Sequence, residues 1–233
     1  MIPEGVDVVR HPRARRTKLA FDPLTGRARL TLPPRASLAR AIAWMGEQGD
    51  WIERQRAALP EPRPFVPGQR LPVAGEPLTI DWIESAPRAV RRDGDRLVLG
   101  GQAETVPRRI ETWLRAQALL LLEADTRHYA ALAGVTVAAV GVGDPRGRWG
   151  SCAHDGTIRY SWRLVLAPPE VRRATAAHEV AHRVHMDHSP AFHALVARLY
   201  GRDPSPMRRW LRTHGAQLHW FGRSSIGGTT TRG

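Results

Sequence analysis

His178 and His182 stand four residues apart, with Glu179 beside the first, in the segment His178-Glu179-Val180-Ala181-His182. On an α-helix, residues four apart share a face, so both imidazoles can meet at one metal ion. Glu179, one residue on, can reach a water at that ion without taking a coordination position. Each residue type suits one task. Imidazole nitrogen is a good ligand for Zn2+, and neutral ligands leave the ion strongly electrophilic. Zinc brings the pKa of a bound water toward ~7. A carboxylate within hydrogen-bond reach can take the proton and hand it to a leaving amine. The spacing therefore points to metal-assisted hydrolysis of an amide. Three fixed positions in five also arise by chance on surface helices, so context decides. Ala176, Ala177, Val180 and Ala181 give this stretch an apolar side, and further histidines follow it.

A catalytic zinc needs a third protein ligand and an open position. No glutamate follows Glu179, and the later acids are Asp187 and Asp203 alone. Composition thus excludes a distal glutamate ligand and leaves His185, His188, His193, His214 and His219. His188 lies six residues after His182, the spacing of the third histidine in the metzincin pattern. That pattern breaks its helix with a glycine where this chain has His185. Here the break is expected later, at Asp187-His188-Ser189-Pro190, where a serine cap and a first-turn proline start a new helix. His185 is the rival ligand. On an unbroken helix it stays near the face of His178 but about two turns away, which is far for a shared ion. His188 is preferred, with one Zn2+ per chain. Arg148 and His214 are candidate contacts to substrate or transition state. A guanidinium can hold a carboxylate or an oxyanion, although a histidine near a helix C-terminus is also common for dipole reasons. Cys152 reads as a small buried hydrophobe rather than a nucleophile.

Two kinds of element must carry these residues. Up to about residue 103 the chain reads as β-rich. Alternating runs at Lys18–Phe21 and Arg27–Leu32 flank a glycine-containing turn, which predicts a hairpin. Ser37 can cap a helix to about Ala58. Four prolines between Pro60 and Pro67 exclude regular structure there. Short strands are predicted near 71–73, 78–82, 89–91 and 96–99. From about Glu104 the pattern becomes helical. A long helix is predicted from Val106 to Ala133, ended by Gly134. A strand follows at Val135–Val142, then a hairpin from Arg148 to Trp162 turning at His154-Asp155-Gly156. Helices are predicted from Pro168-Pro169 to about Met186, from Ser189 to Tyr200, and from Ser205 to His214. Residues 222–233 read as a disordered tail. The organisation is therefore a β-rich N-terminal subdomain over 1–103 and a second domain over 104–221, α+β in class.

Composition narrows the partners. The chain has 233 residues, enough for one large domain or two small ones with a real core. A net charge of +13 admits a nucleic-acid partner, and Arg13, Arg15, Arg16 and Lys18 form its densest cluster. No nucleic-acid-reading motif accompanies that cluster, and a solvated arginine-rich surface accounts for the charge equally well. One cysteine allows no disulfide framework within the chain, which fits a reducing compartment. The N-terminal residues Met1-Ile2-Pro3-Glu4-Gly5 lack a signal-peptide pattern. The longest apolar stretch, near 116–122, is too short to span a bilayer. The expectation is a cytoplasmic protein without membrane association.

Three blocks resemble the YgjP-like metallopeptidases, relatives of the SprT-like and WLM zincins. The first is Arg148-Trp149-Gly150-Ser151-Cys152 with Gly156-Thr157-Ile158, Trp162-Arg163-Leu164 and Ala167-Pro168. The second is the histidine segment followed by Asp187-His188-Ser189-Pro190-Ala191-Phe192, and the third is Trp210-Leu211-Arg212-Thr213-His214-Gly215. In the N-terminal half, Arg15-Arg16, Leu32-Pro33 and Trp51-Ile52 are similar too. The resemblance implies a zincin-like C-terminal domain with helices on a small, mostly antiparallel sheet. It implies zinc held by His178, His182 and His188, Glu179 as catalytic residue, and protein substrates. The chain departs from the family at Asp187, Val180 and His193, where asparagine, leucine and tryptophan are usual. The alternative function is a DNA-associated zincin-fold protein of SprT-like kind, anchored by its N-terminal arginines.

Overall fold

The computed structural model describes residues 2–224. Residue contacts divide the chain into two units, one running to Glu61 and the other spanning Pro62–Ser224.

In the first unit, strands β1 (Val6–Arg10), β2 (Lys18–Asp22) and β3 (Arg27–Leu32) form a sheet ordered β1-β3-β2. β2 and β3 make the predicted antiparallel hairpin, and β1 adds in parallel to β3. The Asp22 carboxylate closes the turn by accepting from Leu24 N and Thr25 Oγ1, and Gly26 supplies the positive φ of 69°. Alternation on β3 buries Ala28, Leu30 and Leu32 on one face. The single predicted helix is in fact two, α1 (Leu38–Glu47) and α2 (Gly49–Ala57). Gly46 and Gly49 flank the break, and glycine costs about 1 kcal/mol within a helix. The break lets Met45 and Ile52 both reach the core under β3.

The second unit holds a four-stranded sheet ordered β4-β5-β7-β6, made of β4 (Arg70–Val73), β5 (Glu76–Trp82), β6 (Arg91–Asp93) and β7 (Arg96–Leu99). The long helix α3 (Val106–Ala133) follows. Its buried residues Val106, Ile110, Leu114, Ala118, Leu122 and Thr126 recur every fourth position and make one continuous stripe. Gly134, in the left-handed region at φ 67°, ends the helix as predicted. A second sheet, ordered β8-β10-β9, combines β8 (Ala139–Gly143), β9 (Gly150–Cys152) and β10 (Thr157–Ser161). The hairpin β9–β10 is antiparallel, β8 pairs with β10 in parallel, and β9 lies at the edge. Helices α4 (Pro169–Ala181), α5 (Pro190–Tyr200) and α6 (Ser205–Leu218) complete the unit. The architecture is α+β.

The sequence reading drew its boundary after residue 103, whereas the contacts separate after Glu61. The reason is burial: Leu71, Val73, Leu78, Ile80, Leu97 and Leu99 share one core with α3 and α4. Gly222, at the start of the expected tail, donates to Arg63 O at 2.8 Å. Residues 225–233 lie outside the described residues.

Two polar ties orient α4 and the strand beside it. Buried Arg172 donates through Nε to Asp125 Oδ2 at 2.7 Å, pinning α4 to α3. Arg163, 7% exposed, binds Asp144 with two nitrogens at 2.7 and 3.0 Å. Its Nη1 donates to Leu218 O and Phe221 O. One guanidinium thus ties the loop before β9 to the end of α6. Among the described residues, no helix is long and apolar enough to cross a membrane.

Candidate metal centre

Helix α4 is buried almost throughout. Ala174, Ala176, Ala177 and Ala181 keep its girth small, so α3, α5, α6 and β9 can all pack against it. His178 and His182 project from one face with ring centroids 5.0 Å apart. The helix stops at Ala181, with His182 as its cap, rather than running to about Met186. Tight turns follow, with Arg183 N donating to Val180 O and Val184 N to Ala181 O, and a last helical bond runs from His185 N to Ala181 O. The Arg183 guanidinium reaches out to Thr136 O and His154 O, which holds the chain off the helical path. α5 starts at Pro190 with Ser189 as its cap, as predicted. There Asp187 Oδ1 accepts from Ser189 N, and Ser189 Oγ accepts from Phe192 N.

The reversal carries His188 back to the helical pair. His188 Nε2 lies 3.4 Å from His178 Nε2, and the ligand atoms of His178, His182 and His188 lie within 4.8 Å of one another. Two ~2.05 Å bonds at the tetrahedral angle separate donor nitrogens by roughly 3.4 Å. The His178–His188 pair has that spacing, and the three imidazoles together form a group that could hold a metal ion. His182 Nδ1 stands 3.0 Å from His185 O. A proton on that nitrogen donates to the carbonyl and leaves Nε2 free as a ligand atom. His185 thus contributes its backbone, not its ring. Burial, then the neighbouring His182 and His188, push His178 down to about 4, and burial also lowers His182. Both rings are neutral at pH 7, the state in which imidazole binds a metal.

Glu179 is 5% exposed. Burial raises its carboxyl to about 7, while the charge of Arg148 pulls the other way. Its side chain packs closely against the backbone of β9 at Gly150. A Cβ at Gly150 would stand 2.6 Å from Glu179 Cγ and 2.7 Å from Cδ, and closer still to Oε1. Trp149, half-buried, presses on Gly215 of α6, where a Cβ would meet its Cζ2 at 2.7 Å. Glycine at these two positions is a condition of the site's packing. A cavity of about 240 Å3 opens beside His178 and Glu179, with Arg148, Met207, Arg208 and Leu211 in its wall.

The structure brings together five of the sequence candidates: His178, Glu179, His182, His188 and Arg148. His214 is not among them. It sits within α6 rather than at its end, stacks on Trp210 at 4.9 Å, and places Nδ1 3.2 Å from Trp210 O. His193 is exposed, its ring 6.2 Å from that of His188. Burial pushes the Cys152 thiol up, away from reactivity. Trp162 is fully buried in the core.

Sequence reasoning missed two residues at the site. Phe192 is fully buried and packs against all three imidazoles, at centroid distances of 4.5 to 4.9 Å. Its place three residues after the Ser189 cap was the available signal. Arg208 had none, because α6 brings it to the cavity from a distant part of the chain.

A family model described as YgjP-like, metallopeptidase domain, matches residues 16–214. Searches of curated proteins and of solved structures give no match. A metallopeptidase implies a metal, and the histidine cluster is a group of suitable residues to hold one. With the match spanning most of its length, this chain belongs to the YgjP-like metallopeptidase domain family.

Proposed function

We propose that the protein is a zinc-dependent peptidase acting on protein substrates, with His178, His182 and His188 as ligands and Glu179 as general base. One observation carries this reading: three imidazoles converge within 4.8 Å beside a buried carboxylate. Zinc, when bound, supplies Lewis acidity toward the scissile carbonyl and makes water acidic enough to react near neutral pH. Glu179 takes a proton from the attacking water as its oxygen bonds to the carbonyl carbon. It then gives that proton to the departing nitrogen as the C–N bond breaks. Gly150 keeps the carboxylate against β9, so its orientation is set before substrate arrives. The edge position of β9 suits pairing with an extended substrate backbone.

Glu179→Gln tests the assignment. Expected are a fall in peptide hydrolysis of ~10²–10⁴-fold and unchanged zinc content by elemental analysis. Undiminished, chelator-sensitive hydrolysis overturns the role of Glu179. The DNA-associated reading draws on Arg13, Arg15, Arg16 and Lys18, all exposed. A salt-titrated binding assay decides it, since phosphate contacts weaken steeply with salt.

A further inference from the structure

The cavity beside His178 and Glu179 measures about 240 Å3, below the ~300–1,000 Å3 that encloses a drug-sized ligand. It suits one side chain. Its inner wall is apolar, built from Ala174, Val196, Met207 and Leu211. Ala174 lies one turn before His178 on α4, and its single methyl keeps the floor open.

The polar part of the wall holds Glu179, His178 and Thr175 on the side of the metal cluster, and two guanidinium groups. Arg148 enters from the segment leading into β9 and Arg208 from α6. Arg208 donates to Ser205 Oγ at 3.1 Å, and its Nη1 lies 3.4 Å from His193 Nδ1. Neither partner is a carboxylate. Asp203 lies within range of its charge but accepts from Ser205 N at 2.9 Å, and no ion pair joins it to Arg208 among the described residues. Arg148 is exposed and makes no ion pair among the described residues. Arg148 lies within range of the charge of Glu179, and Arg208 within range of that of Asp203, but neither guanidinium is paired with a carboxylate at hydrogen-bond distance among the described residues. A carboxylate delivered from outside matches the guanidinium fork that each leaves open to the cavity.

We infer that this cavity is the substrate-selecting subsite: it takes an apolar side chain next to the scissile bond, with Arg208 and Arg148 binding a carboxylate close to that residue. The inference rests on the peptidase reading for the bond that is cut. The carboxylate comes from the peptide's C-terminus or from an acidic side chain, and the two sources are separable.

The test uses full-length, zinc-loaded Glu179→Gln protein and synthetic peptides in matched pairs. One pair differs as free C-terminus against amide, one as Asp against Asn, and one as Leu against Ser at the residue facing the cavity. Affinity is read by calorimetry, and cleavage of the same peptides by wild type. Loss of the carboxylate is expected to weaken binding by ~10–100-fold, as for other hydrogen bonds to charged groups. Loss of the apolar side chain is expected to cost a similar factor. The pair that shows the carboxylate effect identifies its source. In Arg208→Ala the carboxylate preference is expected to shrink several-fold while the apolar preference stays. The peptide pairs keep the test valid should that variant fold poorly. Equal binding of charged and neutral partners, or no binding of any peptide, overturns the subsite. Binding with the expected preferences but no cleavage by wild type leaves the subsite standing and removes the peptidase reading. Cleavage without preference does the reverse.

Discussion

Gly150→Ala is the most local way to disturb the site. Gly150 lies in a strand, where alanine is sterically allowed, so the backbone itself is not strained. The new methyl, however, would stand 2.6 Å from Glu179 Cγ and 2.7 Å from Cδ. Ordinary carbon–carbon contacts are ~3.5–4.0 Å, so one of the two must move by about 1 Å. β9 is held by its pairing with β10 and Glu179 by its burial within α4. A misplacement of about 1 Å costs on the order of 10²-fold in rate, and the overpacking costs ~1–3 kcal/mol of stability. The expected result is kcat lowered by roughly 100-fold, KM little changed, and zinc content kept, because the three atoms nearest the new methyl all belong to Glu179. Gly147→Ala is the control, since nothing lies within 4 Å of a Cβ there. Undiminished kcat in Gly150→Ala, or loss of zinc together with activity, would refute the assignment of this strand as the support of Glu179.

His188→Ala is expected to lower zinc affinity far more than His185→Ala, because His185 acts through its carbonyl; elemental analysis after dialysis against a chelator reads the difference, and the opposite order contradicts the ligand set. The Asp144–Arg163 tie makes a pH prediction. Burial raises the Asp144 carboxyl, but the hydrogen bond and charge of Arg163 outweigh it and hold the group below its usual range. The stability this pair contributes is present above the unfolded value of ~3.9 and disappears as pH falls through the lower folded value. Asp144→Asn should therefore flatten the acid limb of the stability curve. At pH 7 it should cost about 1–2 kcal/mol, less than for a fully buried pair, since the Asp144 side chain is 35% exposed and Arg163 keeps its bonds to Leu218 O and Phe221 O; denaturant curves that overlay wild type at pH 7 would count against the role of this tie.

What the sequence determined by itself was local. Four-residue spacing places His178 and His182 together on any helix, and Glu179 follows from the same geometry. The stripe on α3, its stop at Gly134, the two hairpins and the Ser189 cap are also short-range, and they stand where the sequence puts them. Tertiary structure decided the rest. The length of α4 was not legible, because its end depends on Arg183 reaching Thr136 and His154, in contacts across the fold. His188 stands at the helical pair, brought there by a turn that starts at His182, five residues before the break the sequence suggested. The grouping of strands 70–99 with α3 and α4 depends on which apolar faces meet, and periodicity does not encode a face's partner. Gly150 against Glu179, Phe192 beneath three imidazoles, and Arg208 beside the cavity arise from the packing of α5, α6 and β9 around α4. Residue type and spacing disclosed the metal ligands and base to expect. Long-range packing decided how they are held and what charge surrounds them.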